Sequence, residues 1–215
     1  MHRGLVAGLA LSVGTLAVPA AAACPRPTSA GGYAGNGYDD AVVATLDGPN
    51  VRVHYTLEGR HAVTGVATAK TVLDVAEEAF TAYAAWGYPL PPSDVTSGCE
   101  GGGDARYDVY LVEFSAGDGQ TVGESCSPAG GLDRCSSWAR VAQNLGSRYG
   151  TIEIGARTVV AHELFHAVQY GIVADVPPFW SEGTARPRCG TARGPRRSVR
   201  RSRSCRSGFQ GSARR

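Results

Sequence analysis

Arg157 to Tyr170 is the stretch that most constrains this chain. On a helical wheel Val159, Val160, Ala161, Leu164, Phe165, Ala167 and Val168 make it apolar around most of its circumference. His162, His166, Gln169 and Tyr170 are the exceptions to that surface, and they form one polar strip. A helix of this kind belongs in the interior, and its strip must line a site because buried polar groups need partners. Gly171 supplies the stop.

The strip's two histidines end the run His162-Glu163-Leu164-Phe165-His166. Positions i and i+4 of a helix share a face, with Cβ atoms about 5–6 Å apart. Two neutral imidazoles at that spacing can converge on one ion, and a catalytic zinc keeps a position open for water. Glu163 stands beside them, placed to take a proton from that water and pass it to a leaving amine. The rival reading is a pair of core or surface histidines with no metal.

A third ligand is needed. His54, on the polar side of an alternating segment, and His61, in a turn, read as surface residues. Glu182 is the best candidate, sixteen residues after His166 within Phe179 to Ala185. Pro177 and Pro178 would break the first helix, and a second starting near Trp180 would aim Glu182 back at the histidines.

The rest of the chain supplies the frame. Its 215 residues suffice for one domain with a real core. Residues 1–23 read as an export signal: a basic start at Arg3, an apolar run from Gly4 to Val18, then Pro19 and alanines. Export implies an oxidising compartment. Of the body cysteines Cys24, Cys99, Cys126 and Cys135, the short Cys126–Cys135 loop is the favoured disulfide, since Pro128, Gly130 and Gly131 let the chain double back. Ala21-Ala22-Ala23-Cys24 offers an alternative, a lipoprotein anchored through Cys24. No later segment is apolar for long enough to span a membrane.

Charge divides the chain sharply. Residues 1–185 set Lys70 and nine arginines against all 19 acids, net −9. Residues 186–215 carry eleven arginines and no acid, net +11, with no Ile, Leu or Met. Such a tail cannot bury apolar surface and reads as disordered. The abrupt change looks like translation of a GC-rich gene out of frame; a basic arm for anionic polymers is the rival. That arm lacks interleaved aromatics, and nothing else suggests nucleic acid as a partner.

Between these ends, residues 24–40 read as a flexible arm rich in Gly, Pro and Ser, and residues 41–185 as the domain. Val51 to Leu57 alternates as a half-buried strand. Residues 69–86 carry a helical stripe from Val72 to Trp86, stopped by Gly87 and Pro89. A Gly-rich loop over residues 97–105 leads into an interior strand from Tyr107 to Phe114. Gly117 to Arg134 is expected to be loop, with a short edge strand near Thr121–Val122. Trp138 to Leu145 reads as a short helix capped by Ser136 or Ser137, and Thr151 to Ile154 as a short strand.

The run His162 to Tyr170, followed by Trp180-Ser181-Glu182-Gly183-Thr184-Ala185, resembles the gluzincin type of zinc metallopeptidase, which holds zinc through two His and one Glu. It is closest to a group of secreted bacterial metalloproteases with His-Glu-x-x-His-x-x-Gln and Trp-x-x-Glu-Gly-x-Ala-like segments. Trp86 to Pro89, Pro91 to Asp94 and Tyr107 to Val112 are also similar to that group. The resemblance, over roughly residues 40–185, implies an α+β, zincin-like fold. Its parts would be a twisted mixed sheet, a backing helix and a buried active-site helix. It also implies one catalytic zinc on His162, His166 and Glu182, Glu163 as general base, and a polypeptide substrate. The chain departs from the group after Ala185: where an acid often follows the ligand Glu by one turn, Arg186 stands. A missing partner of that sort costs about 10- to 100-fold in metal affinity or activity. Two alternatives therefore stand beside a secreted endopeptidase: a catalytically silent zincin-like binding module, and a basic-tailed surface binder with incidental histidines.

Other signals are weak. Gly117 to Gly123 lacks the Lys-Ser/Thr ending of a phosphate loop. Asp39, Asp40 and Asp104 offer oxygens of the kind calcium takes, but their spacing is uninformative.

Overall fold

A computed structural model describes residues 24–39, 41–95, 99 and 102–185. The expected signal at 1–23 and the basic tail at 186–215, with Cys189 and Cys205, lie outside those residues. The fold is mixed α+β. Strands β1 (Ala44–Asp47), β2 (Val51–Tyr55), β3 (Tyr107–Val112), β4 (Gly119–Cys126) and β5 (Cys135–Ala142) form one sheet in the order β1-β2-β3-β5-β4. The inner pairs β2–β3 and β3–β5 are parallel; the outer pairs β1–β2 and β4–β5 are antiparallel. Helices α1 (Val66–Ala85) and α3 (Ile152–Ile172) pack together over one face, with short α2 (Leu145–Tyr149) and α4 (Pro178–Thr184) at either end of α3.

Every residue of β3 is buried. Tyr107, Val109 and Leu111 enter the core shared with α1 and α3. Tyr110 and Val112 point to the opposite face, where Tyr38 and Trp138 join them and Tyr33 packs alongside. Residues 24–38 therefore cover the second face of the sheet, and the expected flexible arm is instead a packed layer. The Tyr38 hydroxyl lies 2.9 Å from both the His54 and Leu111 carbonyl oxygens. Arg26, only 1% exposed, reaches Asp94, Asp108 and Glu124 beneath this layer. Burial alone would depress the Arg26 pKa, but Tyr110, Glu124 and Asp108 outweigh it and the net shift is upward. Burial also lifts Asp94 and Glu124 above the usual carboxylate range, and Arg26 pulls them back only in part.

The covered second face overturns the surface assignment of both histidines. His54 is buried, stacked on Tyr110 at 4.3 Å, and its Nε2 lies 2.7 Å from Asp108 Oδ1. His61 is also buried: Nε2–H donates to the Gly37 carbonyl and Nδ1 accepts from the Glu113 amide, both at 2.8 Å. Burial, with Arg60 nearby, holds His61 below its ordinary pKa. The unfolded chain then binds the proton first, so stability is full above about pH 6.5 and falls as the pH drops below it. Urea midpoints should be lower at pH 5.5 than at 7.5, and the gap should narrow in His61→Leu. An unchanged gap would place the titration elsewhere.

Further boundaries differ from the sequence reading. Trp138 to Ala142 belongs to strand β5, not a helix: side chains on both faces of β5 are buried, so neither period shows. The edge strand expected near Thr121–Val122 is present but longer, as eight-residue β4, and takes up much of the expected loop. Thr151 caps α3, its hydroxyl accepting from the Ile154 amide at 3.1 Å, so Ile152 to Ile154 is a first helical turn. β2 stops at Tyr55 and α1 at Ala85, leaving Leu57 and Trp86 exposed.

Cys126 pairs with Cys135 as expected, and Cys24 pairs with Cys99. With that second bond the Cys24 sulfur is not free to carry a lipid. Disulfides are compatible with an extracellular setting. Among the described residues no helix is long and apolar enough to cross a membrane.

Candidate metal centre

Helix α3 buries Ala156, Val159, Val160, Leu164, Ala167 and Val168, a stripe repeating every three to four residues. That packing turns His162 and His166 onto the side facing α4. Their Nε2 atoms lie 3.0 Å apart. Pro177 and Pro178 end the extended connection and start α4, whose Glu182 folds back onto them. Glu182 Oε2 is 3.2 Å from His162 Nε2, and Oε1 is 3.6 Å from His166 Nε2. Among the described residues these three form the one group of three or more His, Cys, Asp or Glu whose ligand atoms lie within 4.8 Å of one another.

Zinc binds nitrogen and oxygen ligands at about 2.0–2.2 Å, so ligand atoms of a tetrahedral site stand about 3.3–3.6 Å apart. The observed separations of 3.0, 3.2 and 3.6 Å run from slightly below that range to its upper end. Three protein ligands also leave the fourth corner free. The donor set fits a catalytic zinc.

The surroundings hold the imidazoles ready. His166 Nδ1 lies 2.6 Å from Gln169 Oε1. An amide oxygen only accepts, so the proton sits on Nδ1 and the Nε2 lone pair faces the site. Gln169 Nε2 donates to the Ser181 carbonyl at 3.1 Å and the Thr184 hydroxyl at 2.7 Å. One side chain thus fixes the His166 tautomer and ties α4, which carries Glu182, to α3. Burial, aided by His166, lowers the His162 pKa while Glu182 opposes. That shift suits a neutral His162 ligand.

Glu163 lies on the sheet side of the histidines, 6% exposed. Burial raises its pKa, and hydrogen bonds from Thr121 of β4 oppose the shift. The remaining sequence candidates go elsewhere. His54 and His61 serve the opposite face of the sheet. Asp104 pairs with Arg52 and Arg106, Asp39 faces Arg60, and Asp40 lies outside the described residues.

Gln169 was visible in the polar strip but had no assigned role. Thr121 carried no signal at all, because its approach to Glu163 crosses 42 residues of sequence. Comparison with known protein families, curated proteins and solved structures finds no match to this chain.

Proposed function

We propose that this protein is a zinc-dependent peptidase of zincin-like fold, acting outside the cell on polypeptides. The observation that carries the reading is the convergence of His162, His166 and Glu182 on one point beside the buried carboxylate of Glu163. The resemblance of His162–Tyr170 and Trp180–Ala185 to gluzincins supports it. The two disulfides and the export signal expected at residues 1–23 favour an extracellular setting.

His162, His166 and Glu182 would hold the ion. Bound zinc supplies Lewis-acid polarisation of a carbonyl and a more acidic water. Glu163 takes the proton released when water attacks the scissile carbonyl and delivers it to the departing amine. Its environment suits the exchange, since burial brings a carboxylate nearer the affinity needed to accept and return a proton. Among the described residues β4 is one of the two edge strands of the sheet, and it passes beside Glu163. An extended polypeptide pairing with the free edge of β4 would lay a backbone amide next to the general base. Compact substrates have no such use for an open edge.

Glu182 is 64% exposed. That openness, with Arg186 where an acid is common, favours a second reading in which the module holds metal without hydrolysis. Metal analysis of the oxidised, dialysed protein and a casein assay separate the two. The peptidase reading expects about one zinc per chain and hydrolysis that disappears in Glu163→Gln. Zinc without hydrolysis selects the silent module, and a protein that cannot be loaded with zinc defeats both.

Gln169→Leu should weaken zinc binding about 10- to 100-fold, because it frees the His166 tautomer and unties α4. Competition against a fluorescent zinc chelator reads this directly. Unchanged affinity would show that Gln169 holds neither ligand.

A further inference from the structure

Two residues of β4 meet Glu163. Gly119 and Thr121 are two apart in a strand and so share a face. A Cβ built on Gly119 would stand 2.6 Å from Glu163 Oε1, 2.7 Å from its Cγ and 2.8 Å from Val159 Cγ1. Only glycine lets the strand run this close to the carboxylate. The approach brings the Thr121 hydroxyl to 2.9 Å from Glu163 Oε2 and 2.7 Å from the Glu163 backbone oxygen.

We infer that Thr121 is a positioning residue for Glu163, its side-chain hydroxyl fixing the carboxylate of the general base; the inference rests on the peptidase reading above. A buried carboxylate with a missing hydrogen bond is costly and free to change rotamer. The Thr121 hydroxyl has one hydrogen and two acceptors within reach. While Glu163 is ionised, the hydroxyl donates to Oε2. Once Glu163 has taken a proton from water, the hydroxyl turns to the Glu163 backbone oxygen, and its own oxygen accepts from Oε2–H. No bond to Thr121 forms or breaks; only its hydrogen changes direction. One hydroxyl thus serves the base before and after proton transfer, a role that valine, of nearly the same shape, cannot fill.

The test uses the full oxidised chain loaded with zinc and compares Thr121→Val, Thr121→Ser and Thr121→Ala on fluorescein-labelled casein. Zinc content and melting temperature are recorded for each. Thr121→Val is expected to hydrolyse about 10- to 100-fold more slowly with its zinc retained, the size of effect that follows from misplacing a reacting group. Thr121→Ser should return the rate close to the parent's, which a merely structural role for the threonine methyl would not allow. If Thr121→Val fails to fold, the serine and alanine variants decide: serine active and alanine slow supports the inference. A parent-like rate in Thr121→Val, or in Thr121→Ala where the valine variant does not fold, overturns it. So does a serine variant as slow as valine. A zinc-loaded parent that does not hydrolyse casein overturns the peptidase reading itself and this inference with it. An active parent beside an equally active valine variant overturns this inference alone.

Discussion

Arg26→Met should lower the melting temperature by about 6–20 °C. Removing one partner of a buried ion pair costs about 3–5 kcal/mol, because the other is left charged and dry. For a chain of this size each kcal/mol moves the midpoint by roughly 2–4 °C. Here the stranded partners are three, Asp94, Asp108 and Glu124, none more than 4% exposed at its side chain. Methionine keeps much of the arginine's length, so the loss reports charge and hydrogen bonding more than packing. Adding Asp94→Asn to that variant should recover part of the loss by removing one uncompensated acid. Thermal melts followed by circular dichroism measure both. A single variant melting within about 2 °C of the parent would mean that the layer formed by residues 24–38 contributes little to holding the sheet.

Glu163→Gln should slow casein hydrolysis by about 10²- to 10⁴-fold, the usual contribution of a positioned acid–base group. Glutamine preserves the shape, and its amide oxygen can still accept from the Thr121 hydroxyl, so the fold should be unaffected. Glu163 is not among the three converging donors, so the zinc content should also stay the same. Slow turnover with metal in place isolates proton transfer from binding. A variant that keeps the parent's rate would move the general base to another group and remove the chemical role assigned to Glu163.

Those two residues also mark how far the sequence could be read. α3 was legible because fourteen consecutive residues carried an apolar surface with one polar strip, and the His162–His166 spacing is set by a single helical turn. Glu182 followed because the prolines before it act locally. β3 announced itself as a buried apolar run. The failures share a cause: each depends on chain segments distant in sequence. Arg26 meets its partners across 68 to 98 residues, and nothing in Pro25-Arg26-Pro27 announces an anchor. Without that layer, alternation sends His54 to solvent. Covered by it, His54 is part of the core. Trp138 to Ala142 reads as helix in the sequence because burial on both faces of β5 erases the alternation that identifies a strand. Thr121 is an unremarkable residue in an edge strand until the Gly119 approach brings it to the carboxylate.

The packed segment at residues 24–38 has a consequence for the order in which the molecule assembles. It is the first described part of the chain to be synthesised, yet Arg26 settles against β3 and β4, with Tyr110 lying 84 positions further on. High contact order of this sort makes the last docking step slow, since a long loop must close before any contact repays it. The Cys24–Cys99 crosslink spans 75 positions and shortens that search once it forms. Oxidation therefore acts as a latch on the final stage of assembly, and a chain kept reduced would linger with one face of its sheet open to water.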